Sequence, residues 1–131
     1  MSITTTSRFA DRVDNYIKYR PHYPQEVYDF LLVEKIIQPD FVIADVGSGT
    51  GISAESLLKM NFKVNGIEPN KEMREAAERL LQQYPNFKSV NATAESTTLP
   101  DASVNTIIVG QAFHWFDRTK TKKEFKRIIF V

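Results

Sequence analysis

Residues 45 to 51 read Asp45-Val46-Gly47-Ser48-Gly49-Thr50-Gly51, and the apolar run Phe41-Val42-Ile43-Ala44 leads straight into them. This is the pattern of a strand feeding a glycine loop. Glycine has no Cβ and tolerates positive φ, so three glycines at alternate positions allow a tight turn and a close approach to a ligand. A second apolar run, Phe62-Lys63-Val64-Asn65-Gly66-Ile67, delivers Glu68 at its carboxyl end. An acid about 20 residues past such a loop can accept hydrogen bonds from ribose hydroxyls, which makes the expected guest nucleotide-like. Dinucleotide folds place a third glycine three residues after the second, and Ile52 stands at that position. Taken alone, Glu68 would also read as an ordinary solvated acid at a strand end.

The G-x-G-x-G rhythm, with an acid two residues ahead of it, resembles the first motif of class I S-adenosylmethionine-dependent methyltransferases. The resemblance implies cofactor contacts at Asp45, Gly47, Ser48, Gly49 and Gly51, at Glu68 for the ribose, and at Pro69 and Met73 just beyond it. Asn91-Ala92-Thr93-Ala94-Glu95 with Leu99-Pro100-Asp101 is similar to the family segment flanking the adenine, a role that falls to Ala94 and Glu95. Gly110-Gln111-Ala112-Phe113-His114-Trp115-Phe116 is similar to the segment of the UbiE-like and trans-aconitate-methyltransferase-like branch that faces the methionine portion, which Gln111 would do here. Tyr16, Tyr19-Arg20-Pro21 and Tyr23-Pro24 resemble the lid of the same branch, which assigns Tyr19, Arg20, Tyr23 and Trp115 to the lid and substrate side.

Several of these residues carry a second reading. His114 beside a methyl-transfer site could act as a general base or orient an acidic substrate, whereas a lone histidine is more often hydrogen-bonded scaffold. A guanidinium forks onto carboxylates, so Arg20 reads equally as a contact to the cofactor's methionine end or an acidic substrate, and as a partner of neighbouring tyrosines or a surface acid. For Phe113, Trp115 and Phe116 the plain alternative is core packing. A methyl group on a sulfonium is already electrophilic, so the protein chiefly has to orient a nucleophile and exclude water. The sequence accordingly shows no G-x-S-x-G elbow, no Walker loop and no metal-ligand cluster.

The elements that must position these residues alternate as a βαβ array. Gln25 to Ile37 predicts a helix ahead of the first strand, with Pro24 as its start signal. Ile52 to Met60 predicts the first crossover helix. Asn70 to Tyr84 predicts the second, with Met73, Ala76, Ala77, Leu80 and Leu81 as its apolar stripe and Pro85 ending it. Phe87 to Val90 is a third strand and Val104 to Gly110 a fully apolar fourth, with a last helix from about Thr119 to Arg127. The expected fold class is α/β: a Rossmann-like, doubly wound, mostly parallel sheet in three α/β/α layers. Residues 1–24 would form a lid-like segment and residues 25–131 the core of one partial domain. The family pattern continues with further strands, so the resemblance implies a C-terminally truncated domain and an exposed sheet edge open to self-association.

Composition bounds the remaining classes. The chain has 131 residues, 42% hydrophobic, enough for one domain with a real core. Its 17 basic and 16 acidic residues leave a net charge of +1, with no electrostatic footprint for a nucleic-acid backbone. Cysteine is absent, which excludes disulfides and thiolate metal sites. No apolar stretch approaches the roughly 18 residues of a membrane span, and residues 1–6 lack a signal-peptide core, so the expected setting is cytoplasmic. The expected function is S-adenosylmethionine-dependent methyl transfer to a small molecule, with S-adenosylhomocysteine as product. The alternatives are a non-catalytic cofactor-binding or scaffold domain and, with less support, an NAD-dependent oxidoreductase.

Overall fold

A computed structural model describes residues 23–109 and 116–131. The elements, in order, are α1 (Gln25–Val33), β1 (Val42–Val46), α2 (Ile52–Lys59), β2 (Lys63–Ile67), α3 (Lys71–Leu80), β3 (Phe87–Val90), β4 (Thr106–Val109) and α4 (Arg118–Ile128). The four strands form one sheet in the order β3-β2-β1-β4, and every pairing is parallel. The chain therefore steps outward from β1 through β2 to β3, then crosses to the other side of β1 for β4. That reversal is a topological switch point, and in open parallel sheets ligands bind in the crevice beyond the strands' carboxyl ends there.

Alternation along β1 sorts the core into two layers. Ile43 joins Tyr28, Leu57, Leu58, Phe62, Val64 and Leu81 on the face covered by α1, α2 and α3. Ala44 and Val46 join Ile67, Val90, Ala92, Ala94, Leu99, Val104 and Ile128 on the face covered by the post-β3 loop and α4. Helices on both faces give the expected three-layer, doubly wound arrangement. Fully burying a Leu or Ile side chain stabilises by about 1.5–3 kcal/mol, and Ile43, Leu57, Ile67 and Ile128 are all at 0% exposure. At the strand starts, β1 and β4 are locked reciprocally. The Val42 amide donates to the Asn105 side chain, and the Asn105 amide to the Val42 carbonyl, both at 2.8 Å.

Boundaries depart from the sequence reading in informative places. Strand β1 runs on through Asp45 and Val46, so the motif's acid is part of the ladder, opposite Gly66 on one side and Ile108 on the other. Helix α1 ends at Val33 rather than Ile37, because Lys35 takes φ 59° and the amides of Ile36 and Ile37 both turn back to the Leu31 carbonyl. Of its apolar positions, Tyr28 is buried and Leu31 packs on the core, whereas Val27, Phe30 and Val33 are exposed. Helix α3 stops at Leu80, ahead of Pro85, and the turn that follows buries Leu81. Strand β4 is half-buried rather than fully apolar inside a sheet, since only β1 flanks it. Val104 instead bridges to Ile129. Among the described residues no helix is long and apolar enough to cross a membrane.

Candidate functional site

The glycine turn is built as its spacing implies. Gly47, Gly49 and Gly51 have φ of 71°, 58° and 87°, a region that costs an L side chain about 1–2 kcal/mol. The Gly47 and Ser48 amides both donate to the Ile67 carbonyl, at 2.8 and 3.2 Å, which staples the turn to the end of β2. Gly51 donates to the Ser48 carbonyl and its own carbonyl accepts from Glu55, so the turn runs directly into α2. A Cβ on Gly51 would lie 2.6 Å from Leu81 Cδ1, whereas one on Gly49 would have nothing within 4 Å. Gly51 is thus small because α3's end packs on it. Gly49 is small where the turn faces open space.

Glu68 closes the turn from below. Its Oε1 accepts from the Gly49 amide at 2.8 Å and its Oε2 from the Asn70 amide at 3.0 Å. A carboxylate offers about four lone-pair positions, so two acceptor positions remain. The loop beneath is braced by Arg74, whose guanidinium donates to the carbonyls of Glu68 and Pro69, both at 3.2 Å. Asn70 caps α3 by accepting from the Met73 amide at 3.0 Å. Met73 itself is half-buried and Pro69 exposed.

Asp45 lies under the turn, 3% exposed. Burial first, and the nearby Glu68 carboxylate second, push its pKa up to about 7, while a hydrogen bond from the Ala54 backbone works the other way. Its Oδ2 has no hydrogen-bond partner among the described residues. A buried acceptor left unpaired costs free energy, and this one sits at the carboxyl end of the central strand. Gly66, beside Asp45 in the ladder, was not singled out from sequence. A Cβ there would meet the Phe87 ring at 2.8 Å and Ser48 Oγ at 3.1 Å, so it lets the turn settle onto β2. The readable signal was a glycine interrupting a strand, which often marks close backbone approach. Arg74 was likewise missed, and its place one turn into a capped helix left no separate trace.

After β3, the Ser96 amide donates to the Thr93 carbonyl at 3.2 Å and closes a turn with Ala94 and Glu95 at its tip. Ala94 is 3% exposed. Glu95 points to α4, its Oε1 accepting from the Asp117 amide at 3.2 Å and from Thr121 Oγ1 at 3.4 Å. The structure therefore brings Asp45, Gly47, Ser48, Gly49, Gly51 and Glu68 together, with Ala94 and Glu95 at the end of another strand of the same sheet. Tyr23 precedes α1 and is exposed. Tyr19, Arg20, Gln111, His114 and Trp115 lie outside the described residues. A separate groove of about 510 Å³ between β4 and α4, floored by Ile107, Phe125 and Ile129, contains none of these residues.

Comparison with known proteins agrees with this geometry. Residues 44–129 match the family model for a methyltransferase domain. An uncharacterized methyltransferase of Mycobacterium tuberculosis is 31% identical over 121 residues, which is 92% of this chain and 47% of that protein. The solved structure of an S-adenosylmethionine-dependent methyltransferase from Aquifex aeolicus superposes with a TM-score of 0.67 at 25% identity, covering 75% of this chain and 56% of the other. The YcgJ protein of Bacillus superposes with a TM-score of 0.68 at 28% identity, covering 76% and 44%. The chain spans about half the length of the curated relatives it matches. With a matched region that begins at the last residue before the motif's acid and runs through α4, the chain belongs to the methyltransferase-domain family.

Proposed function

We propose that this chain binds S-adenosylmethionine and belongs to an enzyme that transfers its methyl group to a small-molecule acceptor. The observation that carries the reading is the pairing of a three-glycine left-handed turn with Glu68, whose carboxylate is held by the Gly49 and Asn70 amides. The two acceptor positions left on Glu68 suit the two ribose hydroxyls. The open space at Gly49 suits close passage of a ligand over the backbone. The unpartnered Oδ2 of Asp45 suits a cationic donor, as the amino group of this cofactor would supply.

When bound, the cofactor supplies an electrophilic methyl on sulfur. This chain's own residues would hold the ribose through Glu68, present the glycine turn to the methionine portion, and flank the purine with the Ala94–Glu95 turn. Rate then comes chiefly from orienting the acceptor and excluding water. Gln111 and His114 follow β4 in sequence, and any proton removal is assigned to His114. The UbiE-like and trans-aconitate-methyltransferase-like branch is our reading of the finer kinship, supported by the Tyr19-Arg20-Pro21 and Gln111 to Phe116 segments. These segments also favour an acidic or quinone-like acceptor. A domain that binds the cofactor without turnover is the second reading, favoured by a site whose assembled residues, the glycine turn and Glu68, bind and orient rather than react.

The test is a calorimetric titration of the chain with S-adenosylmethionine and S-adenosylhomocysteine, with NAD as control. Micromolar binding of the first two alone is expected. Absence of binding would refute the cofactor site, and binding with no methyl transfer across an acceptor screen would favour the second reading.

A further inference from the structure

A carboxylate that accepts four hydrogen bonds lies outside the glycine site. Glu124, in α4, is 8% exposed. Its Oε2 accepts from both the backbone amide and the hydroxyl of Thr97, at 2.8 and 2.6 Å. Arg127, one turn on, forks onto the same carboxylate through Nε at 2.9 Å and a terminal nitrogen at 2.6 Å. The other terminal nitrogen of Arg127 reaches Asp101 Oδ1 at 2.6 Å. Hydrogen bonds from Arg127 foremost, then those from Thr97, hold the Glu124 pKa down to about 2 against its partial burial. Asp101 is 81% exposed on its side chain and adds little through solvent. The energetic centre is the buried Glu124 with its four donors.

Thr97 is 0% exposed and lies two residues beyond Glu95. The same loop therefore carries two ties to α4 running in opposite directions. Glu95 reaches from the loop to the start of the helix, at Asp117 and Thr121. Glu124 reaches from the helix back to the loop, at Thr97. Between the two anchors only Ser96 remains, and just ahead of them Ala94 is pressed into the core with Ala92 and Leu99. Glu124 is buried but Arg127 is 36% exposed on its side chain, so solvent screens the pair and its net contribution to stability is small. The four hydrogen bonds on Glu124 instead fix where Thr97 sits against α4.

We propose that Glu124, braced by Arg127, is a positioning residue that fixes the Ala94–Glu95 turn through Thr97 and so sets the fit of the purine end of the ligand. The proposal rests on the cofactor reading above. The experiment measures dissociation constants for S-adenosylhomocysteine and for adenosine by calorimetry in the intact chain, Glu124→Gln, Thr97→Val and Thr97→Ser, with far-UV circular dichroism confirming folding at the titration temperature. Glu124→Gln is expected to raise both constants at least tenfold and by the same factor, since both ligands carry the purine. Thr97→Val should raise both several-fold, and Thr97→Ser, which keeps the hydroxyl, should restore near-normal values. Unchanged affinity in folded Glu124→Gln would overturn the latch, as would a loss confined to S-adenosylhomocysteine. Should Glu124→Gln fail to fold, the Thr97 pair decides: equal affinities in Val and Ser variants would overturn it. An intact chain that binds neither ligand would overturn the cofactor reading and the latch together.

Discussion

Gly49 and Gly51 share a backbone region but differ in surroundings, and substitution should separate them. Gly49→Ala meets only the left-handed strain of about 1–2 kcal/mol, since its Cβ would face open space. Gly51→Ala adds a clash with Leu81 and should cost more, with the loss less than additive when combined with Leu81→Ala. Urea unfolding of the singles and the double checks this. Ligand affinity should reverse the order of severity, because Gly49 is the position assigned to ligand passage. Glu68→Ala should weaken S-adenosylhomocysteine binding by about 1–3 kcal/mol through lost charged hydrogen bonds, measured by calorimetry. It should also loosen the turn, since the Gly49 and Asn70 amides lose their acceptor. The residues of this site were legible where the chemistry is local: glycine spacing and an acid at a strand end are visible in one dimension. Gly66 and Arg74 were not singled out: the role of Gly66 depends on a ring from β3 and on Ser48, which only the fold brings near, and Arg74 reaches back to the carbonyls just ahead of its own helix, a contact that its type and spacing alone do not mark.

Asn70 shows how an element's end sets the site's geometry. Its side chain caps α3 at Met73 and its own amide holds Glu68. Asn70→Ala should cost about 1 kcal/mol of stability through the cap alone, read by thermal unfolding, while the amide contact to Glu68 persists. The elements themselves were largely readable from periodicity, and β3 falls on the expected residues. The ends were not. Helix α1 stops at Val33, a turn short of Ile37, and α3 at Leu80, just short of Leu81, because Ile37 and Leu81 bury their side chains from turns rather than from helix. Apolar spacing reports which residues reach the core, and a tight turn can present them as well as a helix.

For the whole molecule, two carboxyls give the pH dependence a predictable shape. Asp45 has a folded value of about 7 against 3.8 unfolded, so its favourable contribution is full below 3.8 and is lost as pH rises through about 7. Glu124 has a folded value of about 2 against 4.5, so its contribution is full above 4.5 and is lost as pH falls toward 2. Their joint contribution should peak near the two unfolded values, on the acid side of neutrality. Urea unfolding across pH tests this, and Asp45→Asn should flatten the limb between about 4 and 7. The reciprocal lock between Val42 and Asn105 bears on time rather than equilibrium. It joins groups 63 residues apart, and closing so long a loop is an entropic cost met before any pairing rewards it. Since β1 carries the glycine turn and pairs with both β2 and β4, the switch point beside the turn is complete only after that distant closure. Ligand capture should therefore be among the last properties to return during refolding, and its recovery would clock the completion of the sheet.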